Sequence, residues 1–100
     1  MGFVKVAAVN ELKDGEGKAV QAGGKAIALF KQGGKFHAID NTCIHQGGPL
    51  GEGSLEGTTV TCPWHGWQYN IATGDSTVMP GVKVRSYKVK VEGSSVLVDV

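Results

Sequence analysis

The sequence predicts an all-β fold, an antiparallel sandwich or barrel, on three observations. Apolar, β-prone runs recur every eight to twelve residues. Sixteen of the 100 residues are glycine, more than twice the ordinary share of roughly 7%, as a fold rich in tight turns requires. The glycines also leave no stretch long enough for an amphipathic helix.

The elements follow in order. Phe3 to Val9 is an apolar-rich opening strand, and Asn10-Glu11-Leu12 in the polar connection after it suits one helical turn. Lys18 to Gln21 and Lys25 to Lys31 are short strands around a turn at Gly23-Gly24. A second turn, Gln32-Gly33-Gly34-Lys35, leads into Phe36 to Asp40. Val82 to Val91 alternates apolar with polar residues almost perfectly, as one half-buried strand does. Glu92-Gly93-Ser94-Ser95 turns the chain, and Val96 to Val100 returns. His37 falls on the face of its strand opposite Phe36 and Ala38, where it is expected to meet solvent.

A chain of this length is one domain, residues 1–100. Lys plus Arg number 10 against 9 for Asp plus Glu, a formal charge of +1. The lysines are scattered along alternating strands. Neither nucleic acid nor an anionic membrane is an expected partner, since each selects a concentrated basic face. No apolar run approaches the roughly 20 residues of a membrane span. The start, MGFVKVAAVN, lacks the three-part pattern of a signal peptide. A soluble, cytoplasmic protein is expected.

The middle differs from both ends. Residues 41–81 hold both cysteines, two of the three histidines, both tryptophans and all three prolines. They read as a functional insertion on a scaffold formed by 1–40 and 82–100. Within it stands Cys43-Ile44-His45, then sixteen residues, then Cys62-Pro63-Trp64-His65-Gly66. Each half offers one thiolate and one imidazole. Four soft or borderline ligands from two loops suit a metal, and the neighbouring glycines let backbone N–H groups approach it closely. Tetrahedral zinc is one reading, although zinc sites more often pair like ligands and set the histidines on a helix. A Cys43–Cys62 disulfide with incidental histidines is another, and it belongs more naturally to a secreted chain.

A third reading comes from resemblance. C-x-H, a gap of 16, and C-x₂-H followed by Gly resemble the Rieske motif, and Cys62-Pro63-Trp64-His65-Gly66-Trp67 is similar to its second box nearly letter for letter. The resemblance runs through Tyr69, Thr73-Gly74 and Met79-Pro80-Gly81. It implies a Rieske iron–sulfur fold with a small cluster-binding subdomain (about 41–81), and one [2Fe–2S] cluster per chain. Cys43 and Cys62 would hold one iron, and His45 and His65 the other. It also implies a proline loop over the cluster at 79–81, and a docking patch from Gln46, Leu50, Trp64, Trp67 and Pro80. Of the tryptophans, Trp64 is expected exposed and Trp67 buried.

The departures sort the family. High-potential members carry a further disulfide, and the matching positions here are Gly48 and Trp64. Those members also set a serine and a tyrosine against the cluster sulfurs; Trp67 stands for the serine, while Tyr69 keeps the tyrosine. Each lost donor leaves the charge of the reduced cluster less stabilised. The expected potential therefore lies toward the low end of the class range, roughly −150 to +300 mV.

Rieske oxygenases often read H-G-W-x-Y, as His65-Gly66-Trp67-Gln68-Tyr69 does. They add a mononuclear iron on two His and a carboxylate. Only His37 is free of the cluster here, so the chain is not an oxygenase by itself, and no catalytic residue is assigned. The resemblance implies an electron-transfer protein passing single electrons from a flavin-dependent reductase to a terminal oxygenase. The alternative is a small Rieske subunit fixed to a larger oxidoreductase, like that of NAD(P)H-dependent nitrite reductase.

Overall fold

The computed structural model describes residues 2–42, 48–64 and 66–100. Three antiparallel sheets account for the strands among them. The central sheet has the order β2-β3-β4-β8, from β2 (Glu16–Ala22), β3 (Lys25–Gln32), β4 (Lys35–Asp40) and β8 (Ser86–Tyr87). An outer sheet, β1-β10-β9, joins β1 (Phe3–Ala8), β10 (Ser95–Asp99) and β9 (Val89–Glu92). The third, β5-β6-β7, is a meander of β5 (Ser54–Glu56), β6 (Thr59–Thr61) and β7 (Gln68–Asn70). Short 3₁₀ turns at Val9–Glu11 and Leu50–Glu52 complete the regular structure. The expected all-β fold is observed, and the predicted elements before residue 41 shift by only one or two residues at their ends.

The two Gly-Gly turns explain the hairpins of the central sheet. Gly23 and Gly24, and again Gly33 and Gly34, all have positive φ. A type I′ hairpin turn, whose twist matches that of the flanking strands, needs that conformation at both central positions, and glycine adopts it with the least strain.

β3 reads Ala-Ile-Ala-Leu-Phe with no polar alternation because both faces of the central sheet are covered. Ile27 and Leu29 point to one core with Val20, Ala38, Val96 and Val98. Ala28 and Phe30 point to the other with Ile39, Leu50, Val60, Cys62, Tyr69, Ile71 and Val84. One core binds the outer sheet to the central sheet; the second binds the meander to it. His37 pairs with Phe30 and shares the face of Ile39, so it looks toward the second core. It is half-buried, not the solvent-facing residue that strand alternation predicts. Burial, with Lys35 adding to it, holds its imidazole below the ordinary value.

The predicted strand 82–91 is three pieces. Lys83 makes an isolated bridge to Asp75, and the Val84 N–H donates to the Gly74 carbonyl at 2.8 Å. Ser86–Tyr87 then pairs with β4, and Val89–Glu92 with β10. Alternation fixes which face a residue takes and says nothing about which backbone it bonds. One segment therefore laces the insertion, the central sheet and the outer sheet together.

A side-chain clamp holds this crossing. The Asp40 carboxylate accepts the Tyr87 hydroxyl at 2.5 Å and the Arg85 N–H at 3.1 Å. Burial first, then the bond to Asp40, pushes the Tyr87 phenol up to about 12. The group is protonated in the fold at pH values where it ionises in the unfolded chain. Its contribution is thus complete below pH 10 and is lost as pH rises through about 12. Tyr87→Phe is expected to cost about 1 kcal/mol at neutral pH. Urea midpoints at pH 8 and pH 11 check it: the advantage of wild type over the variant should be smaller at the higher pH.

Candidate metal centre

The second ligand segment is the loop between β6 and β7. The Cys62 N–H donates to the Trp67 carbonyl at 2.7 Å, and the Gly66 N–H returns to the Cys62 carbonyl at 3.1 Å. These bonds close a tight loop in which Cys62 points inward and Trp64 outward. Cys62 is 2% exposed, inside the second core, whereas Trp64 is 57% exposed. Trp67 is partly buried and packs against the same core, so both tryptophan expectations are met in direction.

The first ligand segment leaves the end of β4 and returns at the 3₁₀ turn Leu50–Glu52. Thr42 bridges Pro49, and the Leu50 N–H donates to the Asn41 carbonyl at 2.6 Å. Cys43, His45 and Gln46 lie outside the described residues, as does His65 of the second loop. Of the four predicted ligands, the structure describes Cys62.

Gly48 is where the two segments meet. A Cβ built there would lie 2.6 Å from Cys62 Sγ, 3.1 Å from Trp64 Cγ and 3.3 Å from Trp64 Cβ. Only a residue without a side chain lets the backbone this close. The positions at which high-potential relatives were expected to carry a disulfide are therefore in contact here, joined by packing of a tryptophan on a glycine. Leu50, which the resemblance put in a docking patch, is fully buried in the second core instead. Its own N–H and that of Gly51 both bond to Asn41, the residue after β4, and this carries its side chain inward.

The surroundings suit a metal-bound sulfur. Cys62 sits among Leu50, Val60, Tyr69 and Ile71, where an uncompensated thiolate would be costly and one bound to a cation is compensated. Tyr69 is fully buried in the same cluster. Beyond it, the 77–81 loop hangs from β7. The Thr77 N–H donates to the Gln68 carbonyl at 2.9 Å, and Ser76 Oγ accepts the Met79 N–H at 3.1 Å. Val78, Met79 and Pro80 are exposed.

The Rieske [2Fe-2S] domain family model matches residues 2–88. The chain belongs to the Rieske [2Fe-2S] domain family. The human apoptosis-inducing factor 3 is 40% identical over 91 residues, 90% of this chain and 15% of that protein. This chain thus spans 15% of that relative's length. The ferredoxin component of the naphthalene 1,2-dioxygenase system of Pseudomonas aeruginosa is 32% identical over 97% of this chain and 94% of its own. Among solved structures, the ferredoxin of carbazole 1,9a-dioxygenase from Nocardioides aromaticivorans superimposes with a TM-score of 0.91. It is 32% identical, covering 98% of this chain and 97% of that one. A solved small subunit of an NADPH nitrite reductase, at 18% identity and a TM-score of 0.85 over the whole of both chains, shares the fold alone.

Proposed function

We propose that this Rieske domain carries single electrons on one [2Fe–2S] cluster, with Cys43 and Cys62 on one iron and His45 and His65 on the other. The observation that carries the reading is the Gly48 contact. It sets Gly48, on the chain that follows Cys43 and His45, against the sulfur of Cys62, which supports a site shared by the two segments. Residues 41–81 act as the cluster-binding subdomain on a base of 1–40 and 82–100. The cluster supplies reversible one-electron chemistry; the chain holds it, tunes it and presents it to partners.

Presentation falls to Trp64, Val78, Met79 and Pro80, the exposed apolar residues of the two loops. A small patch of that kind suits weak, transient docking. The partners are a flavin-dependent reductase and a terminal oxygenase, supported by the 32% identity to the ferredoxin component of the naphthalene 1,2-dioxygenase system of Pseudomonas aeruginosa. A cytoplasmic location accords with thiolate ligands kept reduced. Among the described residues no helix is long and apolar enough to cross a membrane.

A second reading, a domain or fixed subunit of a larger oxidoreductase, draws support from the match inside the longer human relative. Pull-down from the native cell separates them: a stoichiometric large partner contradicts the shuttle.

Gly48 and Trp64 admit no clamp disulfide, and Trp67 offers no hydroxyl. The midpoint potential at pH 7 is accordingly expected toward the low end of the class range, below about +100 mV. Redox titration measures it directly, and a value above that would overturn the hydrogen-bond argument.

A further inference from the structure

We propose that Asn41 is a positioning residue for the cluster, fixing both ends of the first ligand segment to one point. The inference rests on the cluster assignment above and adds a residue outside its ligand set.

Asn41 is the first residue after β4, and it is held before it holds anything else. Its N–H donates to the Ala26 carbonyl of β3 at 3.1 Å. The residue before it, Asp40, is tied to β8 through Arg85 and Tyr87. From this anchored position Asn41 accepts twice. Its backbone carbonyl takes the Leu50 N–H at 2.6 Å, and its side-chain Oδ1 takes the Gly51 N–H at 2.7 Å. The eight residues between, 42–49, therefore leave from and return to a single residue. Closing a loop this way removes conformational freedom from the segment that carries Cys43 and His45.

Gly51 makes the second bond specific. A Cβ there would lie 2.8 Å from the Ala19 nitrogen and from the Lys18 carbonyl carbon, and 2.9 Å from Asn41 Oδ1. The return of the segment is thus pressed against β2, and its backbone N–H has the amide oxygen of Asn41 as acceptor. With Leu50 fully buried beneath it, the exit has little freedom left except through that bond. A metal ligand displaced by even about half an ångström loses much of its fit. Outer residues that orient ligands are typically worth a factor of roughly 10–100 in metal affinity.

The test uses the loaded protein and three variants. Asn41→Ala removes the side-chain acceptor. Asn41→Asp keeps an oxygen in its place. Asp14→Ala removes an acceptor of another glycine N–H, that of Gly34, at the far end of β4. The readouts are the half-life of the cluster's visible absorption under a chelator and the g values of the reduced protein by EPR. Asn41→Ala is expected to shorten the half-life by roughly tenfold and to shift or broaden the g values. Asn41→Asp should stay within about twofold of wild type. Asp14→Ala should lower the unfolding temperature and leave the half-life and g values alone. Wild-type half-life and g values in Asn41→Ala would overturn the inference, as would equal losses in Asn41→Ala and Asn41→Asp. If Asn41→Ala does not fold, Asn41→Gln carries the same comparison, because it displaces the amide oxygen by one methylene; a half-life matching Asn41→Asp would then overturn it. A wild-type protein that holds no cluster instead defeats the cluster assignment itself, so the two failures are distinguishable.

Discussion

Replacing Phe30 with alanine is expected to cost roughly 3–5 kcal/mol, enough to consume much of a small domain's total of roughly 5–15 kcal/mol. Phe30 is fully buried on the face of β3 that supports the meander, beside Ile39, Leu50 and Tyr69. Its ring also covers the backbone of Gly17, so the cavity has little chance to collapse. Leu29, the adjacent residue, serves the opposite core with Val96 and Val98, and Leu29→Ala should cost roughly 2–5 kcal/mol. The two variants should differ in where they loosen the molecule. Native-state hydrogen exchange is expected to speed most in β6 and β7 for Phe30→Ala, and in β1 and β10 for Leu29→Ala. The same pattern in both would mean that the central sheet does not divide two cores.

The second large effect is expected at Cys62. Cys62→Ala should take iron from two atoms per chain to near zero and abolish the visible absorption, because three donors cannot complete a four-ligand set. Cys62→Ser keeps the size but offers a hard oxygen where soft iron–sulfur chemistry needs sulfur, and should also lose the cluster. The side chain is nearly the same volume as serine, so far-UV circular dichroism should still report strands in Cys62→Ser. Loss of the cluster should lower thermal stability in both variants, since a group bound only by the folded state stabilises it. Iron analysis and melting curves on the purified variants check this. A Cys62→Ala protein that retains two irons per chain would remove Cys62 from the ligand set.

The strand ladder was legible because local rules decide it. The Gly-Gly pairs at 23–24 and 33–34 mark hairpins whatever surrounds them, and alternation marks faces. What the residues alone do not state is which neighbour covers each face. His37 alternates as a solvent-facing residue should, yet it shares the face of Phe30 and Ile39, on the side of the second core, and is half-buried. Leu50 sits beside the ligand motif in sequence, and the bonds from Asn41 turn it into the core. The division of 82–91 did leave a trace: Val82 and Val84 fall on even positions, whereas Tyr87, Val89 and Val91 fall on odd ones. That change of parity at Arg85-Ser86 is where the chain passes from one core to the other.

The site was legible to a different degree. The spacing of Cys43, His45, Cys62 and His65 suggests donors for a metal, since metal chemistry restricts the ligand types, and the resemblance to the Rieske motif is what assigns them to the proposed cluster. The contact that brings the segments together, Gly48 on Cys62 and Trp64, is invisible in a residue with no side chain. Asn41 was equally hidden, since an Asn after a strand is ordinary turn chemistry until its acceptor partners are seen.

EPR of the reduced protein tests the cluster most directly. The account predicts a signal integrating to one unpaired electron per chain, from two irons per chain. Hyperfine coupling to two directly bound nitrogens is expected, and replacing His45 or His65 should remove one of the two. A silent sample that contains zinc would contradict it.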